Sequence, residues 1–114
     1  MFVTKAADAV EYQAPGHHNI QMHRIQGMDV TPLNSVWSAK LTIEPDGFVE
    51  SKASPAAKLY IVNSGEIEFT GGDQTVLIKK GDSVFVNPNE LRSFRSIGSE
   101  IAVLYLIMLE NYAR

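Results

Sequence analysis

Lys80-Gly81-Asp82-Ser83-Val84-Phe85-Val86 is the stretch on which the reading of this chain turns. A Gly-Asp pair running straight into Val and Phe predicts a tight turn feeding a short strand, because Gly takes backbone angles closed to other residues and Val and Phe suit a half-buried pleated surface. Upstream, residues 75–78 and 67–70 are short apolar runs separated by Gly71-Gly72-Asp73, the pattern of a hairpin. Asn63-Ser64-Gly65 makes a tight connection back to another run at 59–62. Earlier still, residues 36–43 alternate, with Trp37, Ala39, Leu41 and Ile43 on one face and Ser38, Lys40 and Thr42 on the other. That alternation predicts a strand with one buried side, ended by a turn at Pro45-Asp46-Gly47. Downstream, one strand is expected around Phe94 and another over 101–108, where both faces are apolar: a central strand, or one whose outer face meets another subunit. Ala6, Ala7, Ala9 and Val10 allow one helical turn, and everything after Pro15 reads as strands and turns. Six to eight short strands with frequent turn signals predict an all-β sandwich or small barrel.

Length and composition set the limits around that frame. At 114 residues the chain suits one domain, given roughly 150 residues per domain as a prior. Apolar residues make up 45% and charged residues 20%, a globular balance rather than that of a disordered or fibrous chain. Ten basic against thirteen acidic side chains leave a net charge of -3, which argues against nucleic acid or an anionic membrane surface as the main partner. With no Cys there are no disulfides, thiolate metal sites or cysteine nucleophiles, and a reducing cytoplasm is the expected location. The first twelve residues carry Asp8 and Glu11 and lack the apolar core of a secretory signal. The longest apolar run, 101–109, falls far short of the roughly 20 residues of a spanning helix, so a soluble protein is expected.

The segment from Pro45 to Ser96 resembles the cupin superfamily, whose two sequence motifs form opposing parts of a small jelly-roll barrel. The scaffold residues that carry the resemblance are Pro45-Asp46-Gly47, Tyr60-Ile61-Val62, Gly65-Glu66-Ile67, the 80–86 stretch and Phe94. Pro15-Gly16-His17-His18, leading to Gly27, resembles the arm and first strand that precede the first motif in many single-domain members. The resemblance implies an all-β cupin barrel over residues 36–114, with residues 1–35 as an arm and first strand packed on it, and a homodimer. It also locates the family's metal site, and there the chain departs from the pattern. The two histidines and the glutamate of the first motif fall on Lys52, Ser54 and Lys58, and the histidine of the second falls on Arg92. A protonated Lys or Arg has no lone pair for a divalent cation and repels it, so no metal or other cofactor is expected at that position.

Strand parity puts Lys58, Tyr60 and Val62 on one face, which the resemblance turns into the barrel; Arg92 and Phe94 share a face on the opposite motif. A buried cation is costly unless paired. The reading favoured by these residues is therefore a metal-free barrel that binds a small anionic metabolite, with a carboxylate or phosphate group held by Lys58 and Arg92, and Ser54, Tyr60, Phe94 and Trp37 completing the site. Three alternatives stand beside it. Glu50, Glu68 or Glu90 could neutralise the two cations internally. A metal-independent isomerase, lyase or dehydratase could use Lys58 as base or imine-forming amine, Arg92 as carboxylate anchor, and Tyr60 or His23 for acid-base work. The barrel could also be filled, serving structure or regulation alone. On an extended strand His17 and His23 share parity while His18 faces away, so the three are not a compact triad. An arm folded over the barrel, or over a partner's, could instead contribute His23 as an acid or base near neutral pH.

Overall fold

A computed structural model describes residues 1–112, with nine strands and one short 3-10 turn at Ala6–Asp8. The strands are β1 (Val10–Tyr12), β2 (His17–Gln26), β3 (Val36–Lys52), β4 (Ala57–Ser64), β5 (Glu66–Gly71), β6 (Gln74–Lys79), β7 (Ser83–Val86), β8 (Arg92–Ile97) and β9 (Ala102–Leu109). They pair in the order β6-β5-β8-β3-β9-β4-β7, with β2 on the other side of β3 and β1 on β2. All ladders are antiparallel. The sheet wraps into a barrel that is open on one side, because no ladder joins β6 to β7 among the described residues.

The long strand β3 makes this wrapping possible. Its first half, Val36 to Ile43, pairs with β9, and its second half, Phe48 to Lys52, pairs with β8, so one strand belongs to both walls. The expected turn at Pro45-Asp46-Gly47 is not there: the strand runs through those residues as a bulge. Against β2, Ile20 pairs Ile43 while His18 pairs Phe48, so extra residues of β3 loop outward at Glu44, Pro45 and Asp46, all exposed. Turn-forming residue types also suit a bulge, and continued pairing on both sides keeps the strand going. Gly47 fits because a Cβ there would lie 2.7 Å from the Asn19 carbonyl oxygen. On β2, Asn19 has φ 53°, and its side-chain amide donates to Asp46 Oδ2 at 3.1 Å.

The stretch at 80–86 folds as a turn that braces β4 before entering β7. Asp82 accepts the Lys79 N–H on its carboxylate at 2.8 Å, and its backbone oxygen accepts from Val62 N at 2.9 Å. Gly81 N donates to the Val62 carbonyl at 2.9 Å, so both sides of the turn are tied to the same residue. Gly65 alone links β4 to β5, which belong to opposite walls. Its φ of +82° and the 2.6 Å that would separate a Cβ from Ala102 Cα both demand glycine. Gly72 and Asp73 turn the β5–β6 hairpin as expected.

The core follows the alternation in the sequence. Trp37, Ala39, Leu41 and Ile43 of β3, Ala102, Leu104 and Leu106 of β9, and Tyr60 and Val62 of β4 are all buried. Strand β9 is flanked by β3 and β4; Ala102, Leu104 and Leu106 on its inner face are buried, while Val103, Tyr105 and Ile107 on its outer face are half-buried. Across the barrel, Phe69 and Phe94 stack with centroids 5.3 Å apart, and Tyr60 meets each edge-on at 5.2 and 5.4 Å. This cluster separates a cavity at one end of the barrel from an apolar slot of about 260 Å³ at the open β6–β7 seam.

Candidate functional site

The cavity at the other end measures about 300 Å³. It is walled by β4, β8, β9 and the start of β3, roofed by residues 12–15 and rimmed by Lys52 and Ala53. Because β4 alternates, Lys58 and Tyr60 point into the barrel with Val62, and Arg92 enters from the first position of β8. Lys58 is 3% and Arg92 7% exposed. Lys58 Nζ donates to Ser54 Oγ at 2.5 Å and to the Ala56 carbonyl at 3.4 Å. Arg92 donates from Nε to the Tyr60 hydroxyl oxygen at 3.1 Å and from Nη1 to the Glu50 carbonyl at 3.3 Å.

Neither cation has an acid within 4 Å among the described residues, where the ion pairs are His18–Glu50, Arg24–Asp29 and Arg95–Glu68. The acids that the sequence offered as internal counter-charges are engaged elsewhere. Glu50 takes the His18 imidazole at 2.6 Å, Glu68 the Arg95 guanidinium at 2.9 Å, and Glu90 the Asn87 N–H at 3.0 Å. Burial, with Arg92 adding to it, pushes the Lys58 amine below its ordinary value; Glu110, held by the Trp37 indole N–H at 2.7 Å, pulls weakly the other way. Burial raises the Tyr60 phenol, opposed by Arg92.

A third cation was not foreseen. Arg24 reaches the cavity from β2, its guanidinium 4.3 Å from the Tyr12 ring centroid and 4.8 Å from that of Trp37, with Nη1 on Asp29 at 3.1 Å. Its Nε is buried without a partner. Tyr12, mainly through burial, is pushed up to about 12. The one available signal was parity: Met22 and Arg24 flank His23, so an inward Met22 carries Arg24 inward with it. The cation–π seat on Tyr12 has no counterpart in local sequence.

Of the expected site residues, Lys58, Arg92, Tyr60, Ser54 and Trp37 line the one cavity. Two do not. Phe94 shares the Arg92 face of β8 as expected but sits a layer deeper in the aromatic cluster, behind Tyr60. His23 points out of the barrel, into a surface groove with Gln21, Lys40, Thr42 and Tyr105. The parity expected of the histidines fails because the irregularity at Asn19 resets the alternation: His17, not His23, faces the cavity beside Arg92. Lys52, at the position of the first motif's leading histidine, is exposed, ends β3 and rims the opening.

His17 is lowered chiefly by burial and also by Arg92, Lys52 and His18, against the Pro15 carbonyl that accepts from Nδ1 at 3.0 Å. A folded-state value below the unfolded 6.5 means the unfolded chain takes the proton first. The stability this group contributes is therefore whole above pH 6.5 and is lost as pH falls through the folded value. Imidazole NMR is expected to show His17 titrating below 6.5, and urea midpoints should fall less steeply below that pH in His17→Gln. A His17 that titrates above 6.5 contradicts burial as the cause.

The residues gathered here do not fit a divalent metal. In place of neutral imidazoles and a carboxylate they offer two ammonium groups, a hydroxyl and a guanidinium, and no group of three His, Cys, Asp or Glu residues with metal-binding geometry occurs among the described residues.

Comparison with known proteins agrees with this architecture. A family model described as "Cupin domain" matches residues 39–108. The Mycobacterium tuberculosis protein named Beta-D-galactosidase Rv1717 is 29% identical over 113 residues, covering 99% of this chain and 97% of its own. Among solved structures, a predicted oxalate decarboxylase from Thermotoga maritima superposes with a TM-score of 0.82 at 18% identity, covering 96% of this chain and 99% of its own. The polyketide cyclase RemF from Streptomyces resistomycificus gives 0.82 at 11% identity, covering 100% and 87%.

Proposed function

The chain belongs to the cupin domain family, and from that premise we propose that its barrel binds a small organic acid without a metal, the acid group lying between Lys58 and Arg92. The observation that carries this reading is the pair of buried cations on one cavity with no acid within 4 Å of either among the described residues. Buried charge without a partner is costly, and a bound anion removes that cost while gaining charge-assisted hydrogen bonds. Arg92 has one Nη1 and two Nη2 hydrogens beyond those given to Tyr60 and Glu50, enough for a two-point grip on a carboxylate. Trp37, Met22, Leu106 and Met108 supply the apolar wall that a small-molecule site requires.

The galactosidase name of the M. tuberculosis relative bears on ligand size rather than on reaction. Glycoside hydrolysis ordinarily works with two carboxyl groups across the scissile bond, and among the described residues no Asp or Glu lines this cavity. Calorimetric titration with matched sugars separates the two ideas. D-galacturonate is expected to bind at least about tenfold tighter than neutral D-galactose, with affinity falling as salt rises and lost in Arg92→Met. Failure of galacturonate, acetate and phosphate alike to bind would overturn the reading. Hydrolysis of a nitrophenyl β-D-galactoside at equal rate in the wild type and in Arg92→Met would move the chemistry away from this cavity.

A further inference from the structure

We propose that Lys58 forms a reversible imine with the carbonyl carbon of a small 2-oxo acid whose carboxylate is held by Arg92; this rests on the acid-binding reading above. An anion site alone is served as well or better by arginine, whose charge persists under burial and whose fork matches a carboxylate. Lysine differs in that a desolvated ammonium gives up its proton more readily, and the neutral amine so formed is a nucleophile. Lys58 has the surroundings for this. It is 3% exposed, lies in one cavity with the permanent charge of Arg92, and has no acid within 4 Å among the described residues. Its amine pKa is lowered by burial and by Arg92. Ser54 Oγ and the Ala56 carbonyl fix the amine at the cavity wall.

The step balances without a further reagent. The Lys58 nitrogen lone pair forms a bond to the carbonyl carbon, and the C=O π pair moves to oxygen. That oxygen takes up a proton as the nitrogen loses one, a relay for which the Ser54 hydroxyl is in reach. The carbinolamine then expels its hydroxyl with a second proton as water, leaving C=N, so one amine and one carbonyl give one imine and one water. Arg92 holds the carboxylate throughout and sets which carbon faces the amine.

Reductive trapping tests this. The full chain is incubated with pyruvate and sodium cyanoborohydride, with lactate as the acid lacking a carbonyl and hydroxyacetone as the carbonyl lacking an acid. Intact mass and peptide mapping should show one reduced pyruvate adduct, on Lys58, at least tenfold above the level on exposed Lys5 and Lys80. The adduct should be missing with lactate and in Lys58→Arg. Labelling of Lys58 no higher than that of Lys5 overturns the imine, and equal labelling by pyruvate and hydroxyacetone overturns the role given to Arg92. Thermal shifts recorded without reductant keep the two readings apart. Stabilisation by pyruvate and lactate without trapping overturns the imine alone, whereas neither stabilisation nor trapping overturns the acid site with it.

Discussion

Lys58→Met is expected to make the protein more stable and, in the same change, to weaken acid binding. The wild-type ammonium is 3% exposed, has a hydroxyl and a carbonyl for partners, and lies close enough to Arg92 for the two charges to repel. Methionine has nearly the same reach and no charge, and removing buried charge in favour of apolar volume gains about 1–3 kcal/mol in comparable cases. At about 4 °C per kcal/mol for a domain of this size, the melting temperature should rise by roughly 4–12 °C. The lost charge-assisted hydrogen bond should cost an acid ligand about 1.5–3 kcal/mol, a drop of roughly ten- to a hundredfold in affinity. Urea titration and calorimetry on the same preparation read both. A destabilised Lys58→Met would mean that the amine is a structural hydrogen-bond donor, and unchanged affinity would remove it from the site.

Phe94→Ala is expected to cost about 3–5 kcal/mol, a large part of the stability of a small domain. Its ring is 3% exposed, stacks on Phe69 at 5.3 Å and receives the edge of Tyr60 at 5.4 Å, so removal leaves a hole beneath the cavity floor. Because that variant risks unfolding outright, Phe94→Leu serves beside it, with an expected loss of about 1–1.5 kcal/mol and acid affinity within about twofold of wild type. A Phe94→Leu protein that keeps its urea midpoint but loses acid binding tenfold would return Phe94 to the cavity wall.

Most of the scaffold was legible because it rests on local signals. The alternation at 36–43 comes back as buried Trp37, Ala39, Leu41 and Ile43, and the Gly81-Asp82 turn comes back with both its residues hydrogen-bonded to Val62. Lys58 and Arg92 came together because motif position and strand parity agreed for both, and Ser54, on the loop before β4, joined them from motif position alone. What was missed depends on pairing between distant segments. Pro45-Asp46-Gly47 carries turn chemistry, yet β2 and β9 hold the preceding residues of β3 and β8 the following ones, so the strand persists through them. Arg24 reaches the cavity only because Tyr12 and Trp37, far apart in sequence, form its seat. Phe94 was assigned the right face and the wrong depth, since period-two counting says which way a side chain points and nothing about the layer it occupies.

The irregularity at Asn19 acts as a phase shifter in the strand that carries the histidines. Counting back from Met22 in steps of two leads to His18, yet His17 occupies the pocket while His18 stacks on Phe48 and binds Glu50 outside. The irregularity therefore decides which of two adjacent imidazoles the bound acid would meet: a regular alternation running through Asn19 would turn His18 into the pocket and His17 out of it.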